Sequence, residues 1–440
     1  MGGRNQLERI IAVVLVAGVL GHAALAADKS LEERVRALEK KMERTEKAES
    51  AEQRSVAERI EAIEHEVKAS ERSIADQLGL SFHGVVAVDY LFDINRPDVK
   101  RPDGTVDQPA LRSFENEKNS FILNLLNLHL ERQSEHGIGF VTDIDFGKTA
   151  DVVNNTTFFS RNSTGNGTNF FDARQFYLTY TVPIGNGIQV KAGRFITLAG
   201  LEVIKSYDNL NYNITNSILF GFAIPFTHTG LMGSYAFNDM VSLDLGIVNG
   251  WDNVVDNNDG KSVHGGINIA PDPRFSVYIS GTFGPEQDDN GRSKRLLTTT
   301  VITLKPIDPL TVILEYDYGN ESNVMLKDGT VVADPSTPGN KSWQGVAGYV
   351  VVAPTDRLEL ALRAELFDDP DGIRTGFQES GHGPGATFWE ITPTVTFRIT
   401  DQLVWRNEYR HDESDKRFFP REDTFVRGQD TIATELVYTF

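Results

Sequence analysis

At 440 residues the chain is long enough for two or three soluble domains or for one large barrel. It contains no cysteine, which excludes a disulfide framework, thiolate metal sites and Cys nucleophiles. A net charge of −19 argues against nucleic-acid binding, and a mean hydropathy of −0.29 excludes a helical membrane protein as the body of the chain.

The first element is an export signal. Arg4 and Arg9 form a positive start, Ile10 to Leu20 an apolar core, and Ala24-Leu25-Ala26 a small-residue cleavage pattern. Residues 1–26 are therefore expected to be removed on export; the competing reading is an uncleaved anchor. No Cys follows the site, so a lipoprotein anchor is excluded.

Residues 27–78 form a second region, and between 29 and 76 Gly and Pro are absent while Glu, Lys, Arg and Ala dominate. Leu31, Val35, Leu38, Met42 and Thr45 alternate spacings of four and three, and Ile60, Ile63, Val67, Ser70 and Ile74 resume the pattern. A seam this narrow needs a partner helix, which predicts an α-helical coiled coil that aids oligomerisation. A solvated single helix with salt-bridged faces is the alternative.

From residue 79 to 440 the period changes to two. Phe82, Val86, Val88, Tyr90 and Phe92 alternate with His83, Ala87 and Asp89, and Leu358, Leu360, Leu362 and Leu366 with Glu359, Arg363 and Glu365. Repeated ten-residue segments with one apolar and one polar face are the signature of a transmembrane β-barrel. Sixteen strands are predicted, centred near 87, 126, 143, 177, 191, 231, 245, 266, 279, 300, 315, 348, 363, 392, 407 and 435. Short turns such as Pro183–Gly187, Asn238-Asp239 and Pro306–Pro309 alternate with long connections. An even strand number leaves both ends of the barrel on the short-turn, periplasmic side. Phe92, Tyr180, Trp251, Tyr318, Trp343, Trp389 and Phe440 suit interfacial aromatic girdles.

The third long connection, within residues 195–230, is too apolar for a water-facing loop: Leu219, Phe220, Phe222, Ile224 and Phe226 cluster there. It is expected to fold into the lumen and narrow it, with Glu202, Lys205 and Asp208 as its charged constriction candidates; an extra helix on the rim is the alternative. Strand parity points Asp143, Asp145, Asp244, Glu315, Asp317, Glu365, Glu390, Glu408 and Glu435 inward as acids, and Lys191, Arg363, Arg398, Arg406 and Arg410 as bases. Opposed charges across a pore order polar solutes and set ion preference. Arg174 and Arg194 carry the lipid-face parity near the outer end.

No enzyme constellation emerges. His83, His129, His136, His228, His264 and His382 fall on separate elements without HExxH spacing, and Asp252 with Asp256–Gly260 reads as a turn, not a calcium loop. No catalytic residue, metal or cofactor is expected. The last strand ends at Phe440, which resembles the aromatic signal read by the barrel-assembly machinery.

The third-loop stretch, Val190-Lys-Ala-Gly-Arg-Phe195, Phe82-His-Gly84 and Phe440 together resemble the OmpL-like family of β-barrel porins, over about residues 80 to 440. The resemblance implies an outer-membrane channel without fixing a solute. Residues 27–78 resemble the periplasmic arms of some trimeric porins, which implies a homotrimer in contact with outer-membrane lipid and lipopolysaccharide. The leading function is passive diffusion of ions and small hydrophilic solutes. An envelope tether with a plugged lumen is the second reading, and a barrel enzyme the third.

Overall fold

The computed structural model describes residues 36–43, 59, 79–95, 110–115, 117–132, 137–155, 170–327, 330–333, 339–376, 378–379, 383–421 and 424–440. The expected export signal lies outside these residues, and so does the region expected to form a coiled coil, except residues 36–43, an exposed helical stretch, and residue 59.

Sixteen strands form one closed antiparallel barrel. They are β1 (Ser81–Asp93), β2 (Phe121–Arg132), β3 (Ile138–Phe146), β4 (Phe171–Val182), β5 (Ile188–Ile196), β6 (Thr227–Asn238), β7 (Val241–Val248) and β8 (Ser262–Asp272). β9 (Phe275–Gly284), β10 (Arg295–Ile307), β11 (Leu310–Ser322), β14 (Asn340–Thr355), β15 (Leu358–Asp369), β18 (Ala386–Arg398), β19 (Leu403–Ser414) and β22 (Gly428–Thr439) complete the wall. Every centre read from the sequence falls within its strand. Three small hairpins sit in the late long loops: β12 (Val324–Lys327) with β13 (Thr330–Ala333), β16 (Gln378–Glu379) with β17 (Gly383–Pro384), and β20 (Phe419–Arg421) with β21 (Thr424–Val426). Helix α1 (Lys148–Asn155) follows β3.

Closure is made by β1 against β22, from Val85↔Thr439 to Asp93↔Thr431. It leaves no sheet edge, the condition for a β-structure in hydrocarbon, where an unpaired backbone group costs several kcal/mol. The outward side chains form an exposed apolar belt that includes Phe121, Phe176, Leu231, Leu245, Ile247, Leu436 and Tyr438. Such a continuous apolar surface is a liability in water and the requirement in lipid.

Two sequence expectations are corrected here. Trp251 and Trp343 do not join a girdle: Trp343 is fully buried on the inner face, and Trp251 meets it edge-on at 6.2 Å. Tyr180, Trp389 and Phe440 do lie exposed on the outer face. Arg174 points inward. The register between β3 and β4 shifts between Asp143↔Gln175 and Asp145↔Asp172, so β4 carries one more residue than β3 across that step. This bulge inverts the parity, and both Asp172 and Arg174 are buried while Phe176 and Leu178 face out. Arg194 is also buried; it stands opposite Phe176 and binds Asp172 at 2.9 Å.

Candidate functional site: the lumen and its third loop

The wall reaches β5, then the chain leaves it for thirty-odd residues and returns as β6. The loop base is pinned where Thr197 N–H donates to Phe226 C=O at 3.0 Å. Asp252 accepts from the N–H groups of Phe226 and Thr227 at 2.8 and 2.9 Å. Most of the loop is irregular, with one π-helical turn at Leu219–Ala223. Irregular backbone at membrane depth is tolerated only where protein answers its polar groups. The inner wall supplies those answers.

Acids on the wall accept from loop amides. Glu315 takes the Leu201 N–H at 3.1 Å, Glu408 those of Ile214 and Thr215 at 2.6 and 3.0 Å, and Glu365 those of Ile218 and Leu219 at 2.6 and 3.1 Å. Bases on the wall donate to loop carbonyls. Arg406 reaches Leu210 and Asn211, both at 3.0 Å; Arg363 reaches Thr215 at 2.7 Å; Arg410 reaches Asn216 at 2.6 Å. Arg174 reaches Ile204 and Lys205 at 3.1 and 2.6 Å. The alternation of acid and base along β19 thus matches the alternation of donor and acceptor along the loop backbone.

The loop's own charges dock in the same network. Glu202 accepts from Arg363 at 2.7 Å and from Tyr349 at 3.2 Å, while its other oxygen takes the Ser217 N–H at 2.8 Å. Lys205 donates to Glu435 at 2.7 Å, and Arg406 binds the second oxygen of Glu435 at 3.0 Å. Glu390 receives Arg363 at 2.8 Å. From the first long loop, Arg112 binds Asp412 at 2.8 Å, and Arg410 shares that carboxylate at 2.7 Å. Glu115 accepts the Asn216 N–H at 3.2 Å, and burial raises its pKa.

The apolar part of the loop faces the long-loop end. Leu219, Phe220, Ile224 and Phe226 join Phe114, Trp343, Phe388 and Phe419 in one buried cluster. Trp343 donates its indole N–H to Ala223 C=O at 3.0 Å. It lies over Gly319, where a Cβ would come within 1.9 Å of the indole, so only glycine fits on β11 there. Arg374 from the seventh long loop donates to Phe222 C=O and stacks on Trp251 at 4.7 Å, with Arg295 also 4.7 Å from that ring. Burial, and then the nearby Arg295, depress Arg374 to about 10.

The sequence candidates therefore divide. Arg363, Arg406, Arg410, Glu315, Glu365, Glu390, Glu408, Glu435, Glu202 and Lys205 are buried between wall and loop, not open to a water-filled pore as expected. Asp317 is fully buried beside them on β11. The physical reason is that the loop lies directly on the ladder. Asp143 and Asp145 are buried against Arg174, at 3.6 and 3.4 Å. Lys191 caps the Phe195 ring at 4.5 Å, and Asp244 accepts from Ser234. Arg398 and Asp208 are exposed.

Histidines expected on separate elements are brought together in pairs. His228 and His264 lie 4.1 Å apart, ring to ring, and His264 Nε2 accepts from the Leu198 N–H at 3.1 Å. Tyr207 of the loop stacks on His83 at 4.5 Å and meets His129 at 4.9 Å. Antiparallel pairing aligns His83 with His129 directly, which a sequence scan for local spacing does not reveal. His136 and His382 lie outside the described residues. Asp252, read as a turn residue, is the clasp of the loop base; burial raises it to about 6.

A closed sixteen-stranded barrel with an apolar outer belt and an in-folded third loop is an outer-membrane channel of the porin class. The chain belongs to the family described as "Putative beta-barrel porin-2, OmpL-like", which it matches over residues 79–440. Among solved structures it is similar to OprB of Pseudomonas putida, with TM-score 0.53 at 11% identity, covering 84% of this chain and 97% of that one. It is also similar to the outer membrane channel DcaP of Acinetobacter baumannii, with TM-score 0.52 at 12% identity, covering 82% and 97%. An anion-selective porin from Comamonas acidovorans aligns with TM-score 0.50 at 10% identity, covering 82% and 99%. At these identities the likeness is one of fold. No curated protein sequence matches the chain.

Proposed function

We propose that the protein is a diffusion porin whose third long loop narrows a water-filled path for ions and small hydrophilic solutes. The observation that carries this reading is the loop's attachment: its backbone is held inside the barrel by Glu315, Glu365, Glu408, Arg363, Arg406 and Arg410. A loop fixed in this way sets a pore cross-section without blocking assembly of the wall. Membership of a porin family supports a channel rather than an enzyme.

In this reading residues 1–26 are removed on export, and residues 27–78 stand in the periplasm, where their heptad seam joins three copies. The barrel contacts outer-membrane lipid and lipopolysaccharide, and Phe440 serves as the signal for the assembly machinery. Recording from the purified full-length protein in planar bilayers tests the reading. Steady open-channel steps are expected.

The apolar cluster of Phe114, Phe220, Phe226, Trp343, Phe388 and Phe419 favours a second reading, a plugged barrel serving as an envelope tether. Bilayers that stay silent at every voltage would decide for the tether.

A further inference from the structure

Beneath the third loop, at the short-turn end of the barrel, lies a cavity of about 430 Å³. Its roof is loop: Tyr207, Asp208, Leu210 and Tyr212. Its wall includes Glu359 of β15, Arg398 of β18 and Asp401 in the turn that follows. The cavity falls within the ~300–1,000 Å³ typical of small-molecule sites.

The charges here differ in kind from those under the loop. The buried ladder is largely engaged in ion pairs and in backbone hydrogen bonds, and of the charges in that network Glu202 lines the cavity while already bound to Arg363, Tyr349 and the Ser217 N–H. Glu359, Arg398 and Asp401 make no ion pair or side-chain hydrogen bond with any other described residue. Asp208 is exposed and, among the described residues, accepts only from Ser206. A solute in the cavity therefore meets three available carboxylates and one guanidinium. It also meets the rings of Tyr207, Tyr212 and Tyr349, of which Tyr207 is fixed by stacking on His83 at 4.5 Å and Tyr349 by its hydrogen bond to Glu202 at 3.2 Å. Tyr212 and Glu359 both line the cavity, and the Tyr212 hydroxyl pKa is raised by burial and then by the Glu359 carboxylate.

We propose that this cavity is a binding subsite for small organic cations, one ammonium group on an apolar or aromatic body. Carboxylates attract the cation, ring faces add cation–π attraction, and Leu210 offers apolar contact for the body. A simple metal ion would use the carboxylates but gain nothing from the rings, and an anion would have Arg398 alone. The proposal rests on the channel reading for its place on a permeation route, while the binding itself does not.

Equilibrium binding to the full-length protein in detergent, by titration calorimetry, tests the site with three molecules of one shape: benzylammonium, benzyl alcohol and benzoate. Benzylammonium should bind saturably and at least about tenfold more tightly than benzyl alcohol, the effect of one favourable cation contact. Benzoate should not compete. Glu359→Gln combined with Asp401→Asn should weaken benzylammonium binding several-fold, and Arg398→Gln should strengthen it. These side chains support no other group, so heat-modifiable migration should stay as in the parent; if the double variant fails to fold, the sign of the Arg398→Gln effect still decides. Equal affinity for the alcohol, preference for benzoate, or variants that leave binding unchanged would overturn the proposal. In bilayers, benzylammonium on the short-turn side should reduce the current. A conducting channel with neither block nor binding rejects the subsite, whereas binding without any conductance rejects only the channel reading.

Discussion

Gly84 and Phe440 hold each other at the barrel seam. Gly84 N–H donates to Phe440 C=O at 2.9 Å, and Phe440 N–H returns a bond to Gly84 C=O at 3.0 Å. The Phe440 ring lies over the glycine so closely that a Cβ there would come within 2.4 Å of it. The seam is thus fixed by the absence of a side chain on one strand as much as by the aromatic on the other.

Gly84→Val should displace that ring and destabilise the barrel by about 1–3 kcal/mol, the usual cost of overpacking. The midpoint of urea unfolding, followed by heat-modifiable gel migration, reads this out. Deleting Phe440 should lower outer-membrane yield more than Phe176→Leu on the lipid face. Equal yields for the two would remove Phe440 from any role in assembly.

Glu408→Ala should leave the amides of Ile214 and Thr215 without acceptors inside the protein. A buried donor left unsatisfied costs about 1–3 kcal/mol, so the loop should loosen while the wall stays folded. Hydrogen exchange at residues 213–217 should accelerate by roughly ten- to a hundredfold on that energy. Unchanged exchange would mean that the wall does not hold the loop.

Arg174→Met should destabilise by about 3–5 kcal/mol, because Asp145 would then lack its buried cation and Asp143 would keep only His129 of its ion-pair partners. Adding Asp143→Asn and Asp145→Asn should recover part of the loss. Thermal denaturation of the three variants checks the non-additivity.

Asp252 titrates near 6 in the fold against 3.8 when free, with burial the main cause. The folded state therefore binds this proton more tightly than the unfolded chain. Its contribution is most favourable below about pH 4 and is lost as pH rises through 6, by up to about 3 kcal/mol. Asp252→Asn should flatten stability between pH 4 and 7 at the loop base. A slope that persists in the variant would assign the effect elsewhere.

The chain carries −19, and acids such as Glu286, Asp288, Asp289, Asp368 and Asp371 lie at the long-loop end. A modest cation preference is expected at low salt, fading as the Debye length falls to about 3 Å at 1 M. Arg406 and Arg410 are buried in ion pairs, so changing both to Gln should disturb the loop and raise current noise more than it moves the reversal potential. A clear anion preference in the parent channel would place the deciding charges elsewhere in the lumen.

The strands were legible because lipid outside and polar groups inside impose a period of two on every crossing, as in Leu358 to Leu366 of β15. Parity counting fails where the count itself changes. The bulge in β4 turns Arg174 inward, and nothing in the residues around it announces the extra position. Trp343 was misplaced for another reason: its partner is Gly319, opposite it on β11, and the loop that covers it ends more than a hundred residues earlier. The apolar loop declared its burial through Leu219 to Phe226, but its contacts are with residues remote in sequence. Strand parity found Arg398, but the same remoteness hid Glu359 and Asp401, which join it on the open cavity.

The loop's anchors also set an order of events. Its anchors on the later strands reach from Glu315, 114 residues beyond Leu201, to Glu435, 230 residues beyond Lys205. Until β11, β15 and β19 are in place, the amides of Leu201, Ile214, Thr215, Ile218 and Leu219 lack their wall acceptors Glu315, Glu408 and Glu365. Contacts so distant along the chain form late, since loop-closure entropy must be overcome first. The wall must therefore be nearly complete before the segment settles, and the nascent barrel has a wide interior that contracts only in the final step. Variants that slow this step should accumulate a full-sized, protease-sensitive barrel cleaved between residues 197 and 226.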